Sequence, residues 1–224
     1  MADHDWKPPR LTSSGTAKSP GSRSLSEFVY QQLLQAISEG HLHAEPIREE
    51  DIARKLGVSR TPVREALQKL QERGLLTNGG RSLVVATLTE REVLELYTMR
   101  EFLEGTAARF AAQRADAEDI AIMHRLHAAY LAALGDNRRA AQLNWKFHRA
   151  IHEASHNRYL IQAAQGIHDL LLLLYSTTFR QSLDPELSNL QHRRVIAAIE
   201  SRDQDAAEAA AREHIRTAAL VTRF

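Results

Sequence analysis

Apolar residues recur at helical spacing in three short stretches near the start of the chain, which predicts three helices. The helices are expected at residues 25–40, 49–56 and about 59–73. Gly57 supplies the turn between the second and third helices, because glycine readily adopts a positive φ. Gly74 ends the third helix. Two helices joined by so short a turn are typical of a helix-turn-helix.

The third predicted helix has one apolar face and one polar face. Its apolar stripe consists of four residues: Val63, Ala66, Leu67 and Leu70. Ser59 is expected to cap the helix through its hydroxyl, and Pro62 lies in the first turns, where a missing N–H costs least. Arg60, Thr61 and Arg64 lie off the stripe, near the end of the helix that reaches base edges in helix-turn-helix proteins. An arginine fork can bond guanine O6 and N7 together, so the pattern predicts DNA recognition; an ordinary charged surface helix is the alternative.

After Gly74 the hydrophobic pattern changes from helical to extended. Residues 75–77 and 83–85 read as two strands around Asn78-Gly79-Gly80-Arg81, and Asn-Gly is a strong hairpin signal. Gly80 and Arg81 at the tip are predicted to approach a phosphate or the minor groove of DNA. A plain hairpin that only closes the small core is the alternative.

From residue 89 onwards the chain is rich in alanine, leucine and charged residues, and helical patterns fill it. Thr89 and Glu92 have the spacing of a capping box, and aspartates open several of the later helices. Six helices are predicted, at about residues 89–114, 116–134, 138–155, 159–181, 184–201 and 203–222. Their short connections predict an antiparallel six-helix bundle, so the fold class is mainly α, with an N-terminal winged helix-turn-helix.

The segment Arg48-Glu49-Glu50-Asp51-Ile52-Ala53-Arg54-Lys55-Leu56, together with the eleven residues that follow it, closely resembles the winged helix of the GntR family of bacterial transcription regulators. A winged helix followed by six helices resembles the FadR-like subgroup, whose C-terminal domain is of the FCD type. The resemblance implies a transcription regulator, with effector-released repression as the common pattern. It also implies a homodimer on a roughly palindromic operator. Glu50 departs from relatives that carry a DNA-contacting arginine there, and Arg48 joins the predicted contacts.

Three regions follow from the pattern and the resemblance. Residues 1–24 are rich in Pro, Ser, Gly and Lys and are predicted to be a disordered tail. Residues 25–87 form the DNA-binding domain, and residues 88–224 form an all-helical domain for effector binding and dimerisation. The effector implied by the resemblance is a small organic acid, frequently accompanied by a divalent metal ion.

The overall charge is almost balanced, with 29 Lys and Arg against 28 Asp and Glu. A local basic patch between residues 54 and 73 nevertheless offers phosphate contacts: Arg54, Lys55, Arg60, Arg64, Lys69 and Arg73. The absence of cysteine excludes disulfides and thiolate metal sites. No apolar run is long enough for a membrane anchor or signal peptide, so a cytoplasmic protein is expected.

Three of the eleven histidines are expected to meet inside the bundle. Asn144 and His148 are four residues apart and share one helix face. His192 and His214 lie about ten and eleven residues from the turn between the last two helices, hence at nearly the same height. His148 is expected near the same level, and three imidazoles there would suit zinc, nickel or a similar divalent ion.

The resemblance adds roles for four of these positions and for one arginine. Family members carry an Asp-x-x-x-His pair where this chain has Asn144 and His148, and His192 and His214 match the two further histidines. Asn144 brings no negative charge, so weaker metal binding is expected. Relatives often hold a cation near Arg100 that meets the effector's carboxylate; an ion pair within the helix, between Arg100 and Glu104, is the alternative.

Five other histidines of the helical region are not part of the predicted metal site. His152 and His156 are predicted at the surface or in a lid, and His124, His127 and His168 have no assigned partner.

Two other classes of protein are alternatives to a transcription regulator. One rival is a metal-dependent hydrolase that uses the three-histidine site, although no general base is evident because Glu153 lies off that face. The other rival is an architectural DNA-binding protein whose bundle only dimerises. No catalytic residue is predicted.

Overall fold

The computed structural model of the protein describes residue 6 and residues 25–42, 45–80, 82–177 and 184–222. In chain order the elements are α1 Leu25–Ser38, α2 Glu49–Leu56, α3 Arg60–Glu72, β1 Leu76–Asn78, β2 Leu83–Val85, α4 Glu90–Arg114, α5 Ala117–Ala132, α6 Asn137–Ala154, α7 Arg158–Thr177, α8 Pro185–Glu200 and α9 Gln204–Val221. They fall into two units, Met1–Leu88 with Asp169–Thr178, and Thr89–His168 with Phe179–Phe224. The predicted class, a winged helix-turn-helix followed by six helices, is confirmed.

The first unit is built around the buried faces of its three helices. All four residues of the predicted stripe on α3 are buried, with Val63 and Leu70 fully so. Gly57 has φ 69°, and its N–H bonds to the carbonyl of Ala53, as the turn requires. The capping prediction for Ser59 is wrong: its backbone is extended and it precedes α3, but its side chain makes no capping hydrogen bond.

The hairpin has the antiparallel register in which Leu76 lies opposite Val85. Gly79 begins the loop, where its N–H bonds to the carbonyl of Ser82 at 2.8 Å. A Cβ at Gly79 would lie 2.6 Å from a methyl group of Val84, so the loop leaves no room for a side chain there. Arg81 lies outside the described residues. The hairpin therefore forms as predicted, with its first strand one residue later.

Two buried residues of the first unit lie outside the predicted DNA-binding domain, residues 25–87. Trp6, within the predicted tail, is buried in this core, and Lys55 Nζ lies 5.4 Å from its ring centre; the rest of that tail lies outside the described residues. Asp169, in the second half of α7, is also buried. It accepts hydrogen bonds from Tyr30 Oη at 3.1 Å and Arg73 Nη1 at 2.7 Å.

The second unit contains the predicted helices α4 to α9, apart from the second half of α7. The capping box of Thr89 and Glu92 is present, and Asp116, Asp184 and Asp203 also cap helices. A run of buried alanines on α4 allows close helix packing: Ala107, Ala108, Ala111 and Ala112. Residues 178–183, which include the predicted end of α7, lie outside the described residues. Among the helices that the structure describes, none is long and apolar enough to cross a membrane.

Candidate functional site

Three buried imidazoles meet inside the second unit. His148 comes from α6, His192 from α8 and His214 from α9, and each is at most 3% exposed. One nitrogen of each ring lies within 4.8 Å of the others. The Nε2 atoms of His148 and His214 are 3.2 Å apart. The predicted convergence of the three histidines is therefore confirmed.

The outer nitrogens of two of these rings already have partners. His148 Nδ1 lies 3.1 Å from Oε2 of Glu104, and His214 Nδ1 lies 2.9 Å from Oε1 of Gln191. In a neutral imidazole whose Nδ1 donates a hydrogen bond, Nε2 carries a lone pair. These contacts thus favour tautomers whose Nε2 lone pairs face one another, which is the arrangement that a shared cation stabilises.

His192 is fully buried, yet within the described part of the chain neither of its ring nitrogens has a hydrogen-bond partner. Its ring is surrounded by aromatic groups, with Phe147, Tyr130 and His127 at centroid distances of 4.3, 5.4 and 5.5 Å. Leaving a polar group buried without a partner costs about 1–3 kcal/mol. A metal ion bound to His192 would remove that cost, so the residues present fit a divalent ion.

Burial is the main reason why the pKa values of His148, His192 and His214 lie below the ordinary histidine range. For His192 the neighbouring His214 and His148 lower the pKa further. The neutral form, which is the form that ligates metals, therefore dominates at neutral pH.

Glu104 on α4 joins this cluster to a second group of residues. Its Oε2 lies 2.9 Å from Nε2 of His152, besides its contact with His148, and its Oε1 lies 3.3 Å from Nε of Arg100. Burial raises the pKa of Glu104, but its contacts with His148 and His152 outweigh that effect, so the pKa lies well below its usual range. The sequence offered Glu104 only as an ion-pair partner for Arg100.

The surface or lid position predicted for His152 is wrong. The side chain is 3% exposed and faces Glu104. At 100° per residue, four residues carry His152 only about 40° around α6 from His148. That rotation keeps the ring on the wide face that packs against α4, so both histidines reach the same carboxylate.

A small pocket adjoins the cluster on the far side of Glu104. Its space is about 210 Å³, part of which is open to solvent, and it is lined by Arg100, Leu103, Glu104, Trp145, His152, Ala164, Ile167 and His168. The ion pair between Arg100 and Glu104 is confirmed, and Arg100 also lines the pocket, whereas its contact with an effector's carboxylate stays a prediction. Trp145 and His168, which the sequence left unassigned, stack with nearly parallel rings.

The structure gives the exposure and contacts of four further residues named in the sequence analysis, but it does not test their roles. Asn144, one turn before His148, is half-buried, and its part in metal binding stays a prediction. His156 is exposed, as expected, and lies 2.9 Å from Asp119. His124 is exposed and contacts Glu200. Glu153 is exposed and pairs with Arg149, so it lies off the histidine face as expected.

The predicted DNA-reading residues are exposed at the start of α3. Both arginines among them form hydrogen bonds with two acidic residues at the start of α2. These contacts were not predicted from the sequence. Arg64 donates from Nε and Nη2 to the two carboxylate oxygens of Glu49, at 3.1 and 2.9 Å. Arg60 donates from Nη1 to Glu50 at 3.0 Å and from Nη2 to Glu49 at 3.3 Å. Three further predicted contacts are also exposed: Arg48, Thr61 and Gly80.

Fold and site together define a winged-helix DNA-binding protein with a helical domain that carries a buried histidine cluster. Residues 25–85 match the family model of the bacterial regulatory proteins of the gntR family, and residues 95–217 match that of the FCD domain. The chain belongs to the GntR family, in the group with a C-terminal FCD domain. It is a DNA-binding transcription regulator and not an enzyme, so the hydrolase alternative is wrong.

Characterised relatives cover most of the chain. The Glc operon transcriptional activator of Escherichia coli (strain K12) is 31% identical, covering 87% of each chain. The probable D-xylose utilization operon transcriptional repressor of Paenarthrobacter nicotinovorans is 32% identical, covering 89% of each.

Among solved structures, E. coli McbR/YncC has a TM-score of 0.80 at 22% identity, covering 90% of this chain and 98% of its own. A putative GntR transcriptional regulator from Rhodococcus sp. RHA1 has a TM-score of 0.74 at 21% identity, covering 88% and 96%. At these identities the likeness is one of fold.

Proposed function

We propose that this protein is a cytoplasmic, homodimeric repressor whose affinity for a roughly palindromic operator is controlled by a small organic acid and a divalent metal ion. The observation that carries the proposal is the buried histidine cluster beside a pocket that contains Arg100, together with a His192 ring that has no hydrogen-bond partner among the described residues. One feature would hold a metal ion and the other a carboxylate. The predicted DNA contacts are Ser59, Arg60, Thr61 and Arg64 at the start of α3, together with Arg48, Gly80 and Arg81.

The metal ligands in this proposal are His148, His192 and His214, with the amide oxygen of Asn144 as the fourth candidate. Zinc and nickel suit imidazole ligands. When bound, such an ion would supply a positive charge that can attract the effector's carboxylate. Glu104 and Gln191 accept from the outer nitrogens of two ligands and keep those rings oriented, which is the usual task of groups behind metal-bound histidines.

The charge of the pocket supports an acid as effector, because Arg100 is the cation that lines it. The guanidinium of Arg100 can bind a carboxylate through two parallel hydrogen bonds. The side chain is 13% exposed, which limits competition from water.

Repression is a separate part of the proposal, because the relatives include an activator as well as a probable repressor. Repression that the acid relieves requires that the acid binds better to the protein state that binds DNA poorly. The architectural alternative predicts no response to metal ions or acids, so the same binding experiments distinguish it.

The metal assignment is tested by calorimetric titration of chelator-treated protein with Zn²⁺ and Ni²⁺. We expect one ion per chain. Loss of a group that hydrogen-bonds to a metal ligand weakens metal binding by roughly 10–100-fold, and we expect His192→Ala, which removes a ligand itself, to weaken it by more. His124→Ala, which removes an exposed histidine paired with a carboxylate, is the matched control and should bind normally. Equal affinities in all three proteins would refute the assignment.

A further inference from the structure

Glu49 and Glu50 occupy the first turn of α2 and face the start of α3, where the two predicted DNA-reading arginines lie. The two acids differ in their surroundings. Glu49 is 27% exposed and contacts both arginines, whereas Glu50 is 68% exposed and contacts Arg60 but not Arg64. Negative charge beside a DNA-binding surface opposes DNA binding, so their presence there calls for a physical explanation.

The contact between Glu49 and Arg64 uses a particular edge of the guanidinium. Nε and Nη2 form the side edge, and both donate to Glu49. A guanidinium has five N–H donors in one plane, and Glu49 uses one on Nε and one on Nη2. The second N–H of Nη2 and one N–H of Nη1 form the end of the fork, which points away from Glu49. The end of the fork can bond guanine O6 and N7 while Glu49 stays bound.

Arg60 is held differently. Its Nη1 donates to Glu50 and its Nη2 to Glu49, so the carboxylates take the end of its fork. Arg60 would have to leave Glu50 before the end of its fork could read a base. Its contact with Glu49 also adds a second cation beside that carboxylate. The hydrogen bond from Arg64, followed by that from Arg60, holds the pKa of Glu49 below its usual range, so Glu49 is ionised at neutral pH.

We infer that Glu49 is a positioning residue for DNA recognition: it fixes the plane of the Arg64 guanidinium so that the free end of the fork is presented to a guanine. An unsupported arginine loses side-chain entropy when it binds in one geometry. Glu49 has already restrained Arg64 in the free protein, which reduces that loss on binding. The inference rests on the proposed base-reading role of Arg64, and it adds a specificity-determining residue that does not touch DNA.

Glu50 provides the matched control for this inference. It precedes Asp51 in the same helical turn as Glu49, and Glu50→Gln removes the same charge as Glu49→Gln without touching Arg64. If the acids acted only through their charge, both substitutions would strengthen binding to every duplex. If Glu49 positions Arg64, the two substitutions have different effects on sequence discrimination.

The test uses the full chain and the duplex that the wild-type protein enriches from a randomised DNA library. Discrimination is the ratio of its affinity to that of a scrambled duplex at fixed salt, measured by fluorescence anisotropy. Arg64→Ala should lower this ratio roughly 5–150-fold, the worth of a bidentate base contact. Glu49→Gln should lower it by about threefold to tenfold, whereas Glu50→Gln should not lower it and should strengthen binding to both duplexes.

The double variant Glu49→Gln/Arg64→Ala separates positioning from a general effect on the fold, because it should discriminate no worse than Arg64→Ala alone. If Glu49→Gln keeps full discrimination while Arg64→Ala loses it, the inference is overturned and the proposed role of Arg64 stands. If Arg64→Ala itself keeps full discrimination, both are overturned. An additive loss in the double variant also contradicts positioning, since Glu49 would then act independently of Arg64.

Discussion

At the scale of single residues, Glu104 connects the two features of the helical domain. One of its carboxylate oxygens contacts His148 and His152, and the other contacts Arg100 at the pocket. An acid that draws Arg100 away changes the partners of the same carboxylate that orients His148. Metal and effector binding are therefore expected to influence each other through one side chain.

His168 gives the domain a predictable response to acid. Burial, and then the charge of Arg100, hold the pKa of His168 well below its ordinary value of about 6.5. Below that value the unfolded chain takes up a proton that the folded protein does not, so stability falls as the pH drops. One such group accounts for at most about 1.4 kcal/mol per pH unit.

We expect His168→Gln to reduce the loss of stability between about pH 7.5 and pH 5.5 by roughly 1 kcal/mol. The measurement is urea unfolding of the metal-free protein at both pH values. His124→Gln changes an exposed histidine and should leave the loss as in the wild type. A loss in His168→Gln equal to that of the wild type would contradict the prediction.

At the scale of elements, the turn between α2 and α3 sets the direction in which the recognition helix leaves its neighbour. Gly57 adopts φ 69°, and a Cβ there would meet nothing within 4 Å. The reason for glycine is therefore the backbone conformation and not a lack of space. The same turn brings Glu49 and Arg64, fifteen positions apart in the chain, into hydrogen-bonding contact.

Replacing Gly57 with alanine should lower the free energy of unfolding by about 1–2 kcal/mol, because an L-residue is strained at positive φ. Gly135→Ala is the matched control, since that position is equally open and has no positive φ. Its free energy of unfolding should change by no more than about 0.5 kcal/mol. Urea titrations of both variants test this; equal effects would show that the turn conformation is not the cause.

At the scale of the whole molecule, the proposed DNA contacts belong to one unit, and the histidine cluster and the pocket belong to the other. Control of DNA binding by an acid therefore requires a coupling free energy, which by linkage is the same in both directions. An acid that weakens DNA binding by some factor must itself bind more weakly, by the same factor, to the DNA complex.

We expect a small mono- or dicarboxylic acid, found by thermal shift, to weaken binding to the selected duplex by about 5–150-fold. Arg100→Ala should abolish this response. Arg91→Ala removes the arginine of an exposed pair with the same four-residue spacing and should keep it. Anisotropy titrations with and without the acid measure the effect, and an undiminished response in Arg100→Ala would exclude the carboxylate role of Arg100.

The proposed homodimer is a separate prediction at this scale. Sedimentation equilibrium should give twice the chain mass of 25.2 kDa, and the selected duplex should contain two inverted half-sites about one helical turn, or a multiple of it, apart. These results follow because a two-fold protein mirrors its symmetry in the DNA. A monomer that binds a single half-site with full affinity would refute the dimer.

Much of this protein could be predicted from local pattern. Helix types and most helix ends follow from apolar periodicity, glycine stops and capping residues, all of which act within a few positions of each other. The convergence of His148, His192 and His214 was also predictable, because the rise per residue sets the height of a side chain on a helix. The Ser59 hydroxyl was wrongly predicted to cap, since residue type indicates a capping capacity and not its use.

The features that only the tertiary structure decided depend on the orientation of each helix about its own axis relative to its neighbours. The shared carboxylate of Glu104, the buried position of His152 and the aromatic surroundings of His192 each need that rotation to be known to within a few tens of degrees, which periodicity does not supply. The hydrogen bonds from Arg64 to Glu49 likewise join two helices across a turn. The sequence by itself therefore determined which elements form and which residues could bind DNA or metal, and the packing determined which side chains orient them.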